Sequence, residues 1–270
     1  MKVRLKAFAY HLCISAVVVA IALTLIFGFW YRPPFSYVQN VYNVVLTLLS
    51  VDLVVGPLLT FAVYNPAKKK LKMDLTLIGL MQLAALAYGL VVCYTSRPIY
   101  TVYNDGMFST VMSSDYLEPE LKRTPANNPY LKYPKMGTMW VGSVKPANIA
   151  RQDELFIEYS SPTGGGLRLI PRFYVPYEQL AAQAAKSGKP ASELSFKAGI
   201  LPPPLGVGKA QRPATTASQV AAVRDFAGSF GLPLDEVVLL PLIGPDATGI
   251  VALEAGTGKR LGAIGESPWW

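Results

Sequence analysis

The strongest constraint on this chain is the stretch from Tyr42 to Tyr64, YNVVLTLLSVDLVVGPLLTFAVY. It supplies the ~20 consecutive apolar residues that a bilayer-spanning helix needs. Yet an acid, Asp52, stands near its middle, and Gly56 and Pro57 follow shortly after it. A charged side chain at that depth costs ~2.5–3.5 kcal/mol on insertion scales, so an ionisable residue there is by default a functional candidate with a partner to be found. The competing use of Asp52 is packing alone, with its carboxyl protonated or hydrogen-bonded to a neighbouring helix.

Two further apolar runs flank this one. The first follows a basic head, from Phe8 to Trp30. It is too long for a secretory leader, has no small-residue cleavage site, and ends in Phe29-Trp30-Tyr31-Arg32. It is therefore expected to stay as an anchor, stopped by Pro33 and Pro34. The third begins after Asp74, read as its N-cap. The expected spans are 8–30, 42–64 and 75–95, with a basic loop at 65–74.

Basic residues orient these spans. Lys2, Arg4 and Lys6 precede the first, and Lys68, Lys69, Lys70 and Lys72 fill the loop between the second and third. Arg32 alone lies between the first and second. The N-terminus and the lysine loop are thus expected in the cytoplasm, and everything after Arg97 on the far side. The chain divides accordingly into a transmembrane part, 1–96, and a soluble part, 97–270.

The net charge of +8 invites a nucleic-acid partner, but its placement argues against one. Of 25 basic and 17 acidic residues, eight and two fall within 1–96, so the excess sits where it sets topology. The chain has one histidine, His11, and two cysteines, Cys13 and Cys93, all in apolar segments. The soluble part therefore lacks a Ser-His-Asp triad, a Cys-His pair and a His/Cys zinc site. Its carboxylate near-pairs, 118/120, 153/154 and 235/236, read as solvated charge.

Within the spans, a rise of ~1.5 Å per residue puts Asp52 at a depth of ~18 Å, Gln82 at ~11 Å and Tyr88 at ~20 Å. Gln82 or Tyr88 is thus within reach of the acid. On the same count Asp52 and Asp74 are too far apart in depth for a proton-sharing aspartyl dyad. Gly79 and Gly89, with the alanines 84, 85 and 87, suit close packing of the third span.

In the soluble part, Asn104-Asp105-Gly106 between two apolar runs predicts a β-hairpin. Segments 155–159 and 167–175 read as strands, 176–186 and 217–230 as helices, and 237–243, 249–254 and 260–264 as a closing meander. Residues 119–146 read as irregular apart from a short apolar piece at 139–144.

Taken in order, several motifs resemble the type IV pilin accessory protein family (TfpX/TfpZ type). They are Lys2-x-Arg4-x-Lys6-Ala7-Phe8 with His11, the run Val51-Asp52-Leu53-Val54-Val55-Gly56-Pro57-Leu58-Leu59-Thr60, and Asn65-Pro66-Ala67-Lys68-Lys69 with Asp74-Leu75. Gln82 with Tyr88-Gly89, Leu240-Pro241-Leu242 and the closing Pro-Trp complete the set. Gly244-Pro245 departs from the pattern, which more often has a basic or polar residue there.

The resemblance implies a membrane protein with three transmembrane α-helices followed by a periplasmic α+β domain. It implies a non-enzymatic accessory of the bacterial inner membrane that binds a type IV major pilin and promotes its assembly, in contact with inner-membrane lipid and the pilus assembly machinery. No cofactor, metal or nucleic acid is implied. Asp52, Gly56, Pro57, Gln82 and Tyr88 are the candidate partner-binding residues. The competing reading is a small transport or channel subunit that uses Asp52.

Overall fold

The computed structural model describes residues 1–39, 41–116, 118–144, 166–193, 217–245 and 247–265. They form two compact units: Met1–Arg32 with Asn40–Arg97, and Pro33–Gln39 with Pro98–Trp270. The turn between the first two apolar helices thus belongs to the second unit.

The first unit is helical. Helix α1 (Lys2–Leu25) runs on through a π-helical turn, Ile26–Trp30. After the single turn α2 (Phe35–Val38) of the other unit, α3 (Tyr42–Leu49) passes into a π-helical stretch, Ser50–Val55, and then into α4 (Gly56–Val63). Helix α5 spans Leu71–Thr95. These make three continuous helical runs of 29, 22 and 25 residues, each long and apolar enough to cross a bilayer.

The helices start earlier than the apolar runs. Lys and Arg are good helix formers, so the basic head is helical from Lys2 rather than from Phe8. Helix α5 likewise begins one turn before 75, with Lys70 in the N-cap position. Asp74 is therefore not the cap but lies in the first turn, where an acid faces the positive helix end, and it pairs with Lys68.

Close approach within this unit is local. A Cβ at Gly89 would strike Leu48, whereas Gly79 faces open space. Near the other end of the helices, Tyr31 donates its hydroxyl proton to the Cys93 carbonyl at 2.8 Å. Phe27 stacks on Tyr42, and Trp30 meets Tyr94 edge-on with centroids 5.3 Å apart.

The second unit is built on one mixed sheet. Strands β1 (Pro98–Asn104) and β2 (Met107–Met112) form the expected hairpin. Asp105 (φ 47°) and Gly106 (φ 80°) both sit in the left-handed region that a two-residue type I′ turn requires. Strand β3 (Met139–Ser143) pairs parallel with β1 and carries β4 (Tyr174–Pro176) on its outer edge. Strands β6 (Val237–Ile243), β7 (Thr248–Glu254) and β8 (Arg260–Ile264) are the expected meander. It joins the hairpin through parallel pairing of β2 with β6, and β5 (Lys189–Pro190) also pairs β6.

Segment 167–175 is not a strand. It forms two 3-10 turns, Gly166–Leu169 and Pro171–Phe173, and only Tyr174 and the two residues after it pair in the sheet. Pro171, which has no N–H to give a ladder, opens the second turn. The stretch after 119 is not wholly irregular, since α6 covers Glu118–Arg123. The expected strand at 155–159 lies outside the described residues.

The all-apolar sequence of β6 is explained by burial on both faces. Val238, Leu240 and Leu242, with Val251 and Leu253 of β7, face Phe108, Tyr177 and the alanines 184 and 185 of α7 (Ala181–Ser187). Val237, Leu239, Ile250 and Ala252 face Val220, Val223 and Ala227 of α8 (Ala217–Gly228). Gly231, at φ 69°, turns the chain out of that helix region. A third cluster gathers Tyr100, Tyr116 and Tyr174 around β1 and β3, where burial pushes all three phenols up from their usual range.

Candidate functional site

Asp52 sits inside the π-helical stretch between α3 and α4 and is 4% exposed. The local geometry follows from the sequence. The Gly56 N–H, which an α-helix would give to Asp52, donates instead to the carbonyl of Val51. A π pattern would pass the Asp52 carbonyl to residue 57, but that residue is Pro57 and has no N–H. The main-chain oxygen of Asp52 is thereby left without a helical donor in an apolar interior. Gln82 of α5 fills the vacancy, donating from Nε2 to that oxygen at 3.3 Å.

Gly56 makes this approach possible. A Cβ there would run into the Gln82 amide group, so a larger residue would push Gln82 away from the acid. Gly56, Pro57 and Gln82 are therefore one arrangement: the proline strands a carbonyl, the glutamine caps it, and the glycine admits the glutamine.

The other end of the Gln82 amide is also engaged. Its Oε1 lies 2.7 Å from Nε2 of His11, and the ring's Nδ1 lies 2.5 Å from Oγ1 of Thr60. An amide oxygen only accepts, so His11 donates from Nε2, and its Nδ1 exchanges a hydrogen bond with the Thr60 hydroxyl. The chain Thr60–His11–Gln82–Asp52 thus ties α1, α4 and α5 together through polar groups. It leaves one atom over. Asp52 Oδ2 is buried and has no hydrogen-bond partner among the described residues, and an unpaired buried acceptor of this kind is costly.

Of the residues expected from the sequence, Asp52, Gly56, Pro57 and Gln82 come together. Tyr88 does not join them, being 74% exposed on the outer side of α5. His11 and Thr60 belong to the cluster without having been singled out. Depth carried the needed information: at ~1.5 Å per residue from the same ends, His11 lies at ~5 Å and Thr60 at ~6 Å, a match across two helices. In the sheet unit, Asp235 and Glu236 are exposed, while the side chains at 118, 120, 153 and 154 lie outside the described residues.

Three helices able to cross a bilayer, closed around a polar cluster and followed by a sheet-rich domain, define the class of protein. Comparison with known proteins gives the family. The family described as "Fimbrial assembly protein FimB" matches residues 1–39. The "Fimbrial assembly protein, serogroups C1 and C2" of Dichelobacter nodosus is 32% identical over 118 residues, 43% of this chain and 90% of that protein. The "Fimbrial assembly protein, serogroup I" of the same organism is 27% identical over 240 residues, 88% of this chain and 85% of the relative. The serogroup E1 protein is 26% identical over the same length. The chain belongs to this fimbrial assembly family, a type IV pilin accessory family. No solved structure matches it.

Proposed function

We propose that this protein is an inner-membrane accessory of type IV pilus biogenesis that binds a pilin and promotes its assembly, without catalysing a reaction. The helical unit, 1–96, spans the membrane three times with its N-terminus and lysine loop in the cytoplasm. The sheet domain lies in the periplasm. One observation beyond the basic-residue pattern supports this topology: residues 33–39 pack into the same unit as residues 98–265, so both must lie on one side of a membrane. An odd number of spans between the N-terminus and that side follows for each.

The observation that carries the pilin-binding reading is the buried, unpartnered carboxylate oxygen of Asp52 beside His11 and Gln82. A polar group held inside an apolar bundle favours a second helix bringing a donor. A prepilin held in the membrane by an apolar helix is a partner of that kind. The sheet domain then touches the pilin head.

The test is chromosomal replacement of Asp52 by Asn and by Leu, with measurement of surface pilin and of pilin co-purifying with the accessory protein. Asp52→Leu is expected to reduce both, and Asp52→Asn to retain part of each through its amide. Wild-type pili and wild-type co-purification with both replacements would contradict the role of Asp52. Unchanged pili in a deletion strain would contradict the function itself.

A further inference from the structure

We infer that the turn between the first two apolar helices, Pro33–Gln39, is a structural part of the sheet domain, so that this domain is split in sequence and completes its core only when that turn reaches it. Connections between apolar helices are usually polar and solvated. This one reads PPFSYVQ, and it is packed as core. Val38 is 0% exposed and Phe35 8%, both within the cluster of Phe108, Leu240, Leu242 and Val251. Phe35 lies 6.2 Å, ring to ring, from Trp140. Gln39 is also buried and donates from Nε2 to Oγ1 of Thr110 on β2, 2.9 Å away.

The domain is shaped to receive the turn. Gly244, directly after β6, touches the Val38 main chain so closely that a Cβ would collide with the Val38 carbonyl. A Cβ at Gly265, directly after β8, would meet Cβ of Tyr37 at 2.7 Å. Two strand ends thus leave out a side chain where the turn lies against them.

The consequence is an order of events. Residues 33–39 are made first and the strands that hold them last, so the domain finishes folding only after all three apolar helices have been laid down. A fragment beginning at 97 lacks Phe35, Val38 and Gln39 and exposes the faces they cover. This inference does not depend on pilin binding.

The test uses the full chain in detergent and reads the rate of proteolysis of the sheet domain, with helix content as a check on the helical unit. Phe35→Ala with Val38→Ala is expected to raise the cleavage rate by ~100-fold or more while helix content holds, because core truncations of this size shift the open population at least that far. Gly244→Ala, made from the other side of the contact, is expected to raise it by ~10-fold or more. Cleavage within about two-fold of wild type in both variants would overturn the inference, as would a sensitive double variant beside a silent Gly244→Ala.

Discussion

The two units differ in what they leave exposed and in how much polar surface they bury. In the sheet domain the buried residues are those of an ordinary water-soluble core, such as Leu240, Leu242, Ile250 and Leu253, all 0% exposed. In the helical unit many large apolar side chains point outward, with Ile14, Val17, Ile21, Leu46, Leu77 and Leu80 each more than half exposed. Its interior holds Ser15, Asp52, Thr60 and two glycines beside an apolar cluster of Ile26, Val41, Val45 and Leu48. Only 17–28% of the most apolar windows of the three helices is buried. The contrast fits the proposal that each unit faces a different solvent. Apolar burial has no driving force between helices already in lipid, where small residues and polar contacts hold them instead.

The largest expected effect sharpens that contrast. Leu240→Ala should cost ~2–5 kcal/mol in the sheet domain, because it opens a cavity in a packed interior. This is read as a fall in the domain's unfolding midpoint.

A second experiment separates the parts of the polar cluster. Gln82→Ala should destabilise the helical unit by ~1–3 kcal/mol, since it strands the Asp52 carbonyl. In a Pro57→Ala background the cost should shrink, because residue 57 then carries an N–H that can serve that oxygen. Thermal unfolding of the four members of this cycle in detergent measures the coupling. Equal costs in both backgrounds would show that Gln82 does not act as the cap of that carbonyl.

A smaller effect is expected from pH in the sheet domain. Burial, opposed by the Met112 N–H at 2.8 Å and the nearby Arg168, leaves the Asp115 carboxyl raised above its ordinary value of 3.8. The folded state therefore holds this proton more tightly than the unfolded one. Stability from this group is present at low pH and is lost as pH rises from 3.8 through the raised folded value. Asp115→Asn keeps an acceptor and removes the titration. Its stability relative to wild type should rise over that window and stay level on either side. The smallest effect is Ile21→Ala on the outer face of α1, expected within ~0.5 kcal/mol of wild type in detergent.

Much of this was legible in the sequence where the cause is local. Asn104-Asp105-Gly106 dictates its own turn, and the apolar β6 with the Gly-containing turns after it dictates the meander. Depth along the helices brought both Gln82 and Tyr88 within reach of Asp52. It was not enough to choose between them, because depth says nothing of direction: six residues beyond Gln82 is ~240° around the helix, so the Tyr88 ring points outward. The π-helical stretch at Ser50–Val55 was hidden because no residue type in it marks a π-turn, and Pro57 shows its effect only once the Val51 bond is known. The placement of Phe35 and Val38 in the sheet domain was illegible because their partners are supplied by β2, β6 and β7, far along the chain.

The most direct test of the two-solvent account is protease added to intact spheroplasts expressing the full chain with an epitope after Trp270 and another in the lysine loop. The account predicts that the sheet domain and its epitope are digested from outside, while the epitope in loop 65–74 survives until the membrane is permeabilised. A terminal epitope that is protected in intact spheroplasts and lost only on lysis would contradict it.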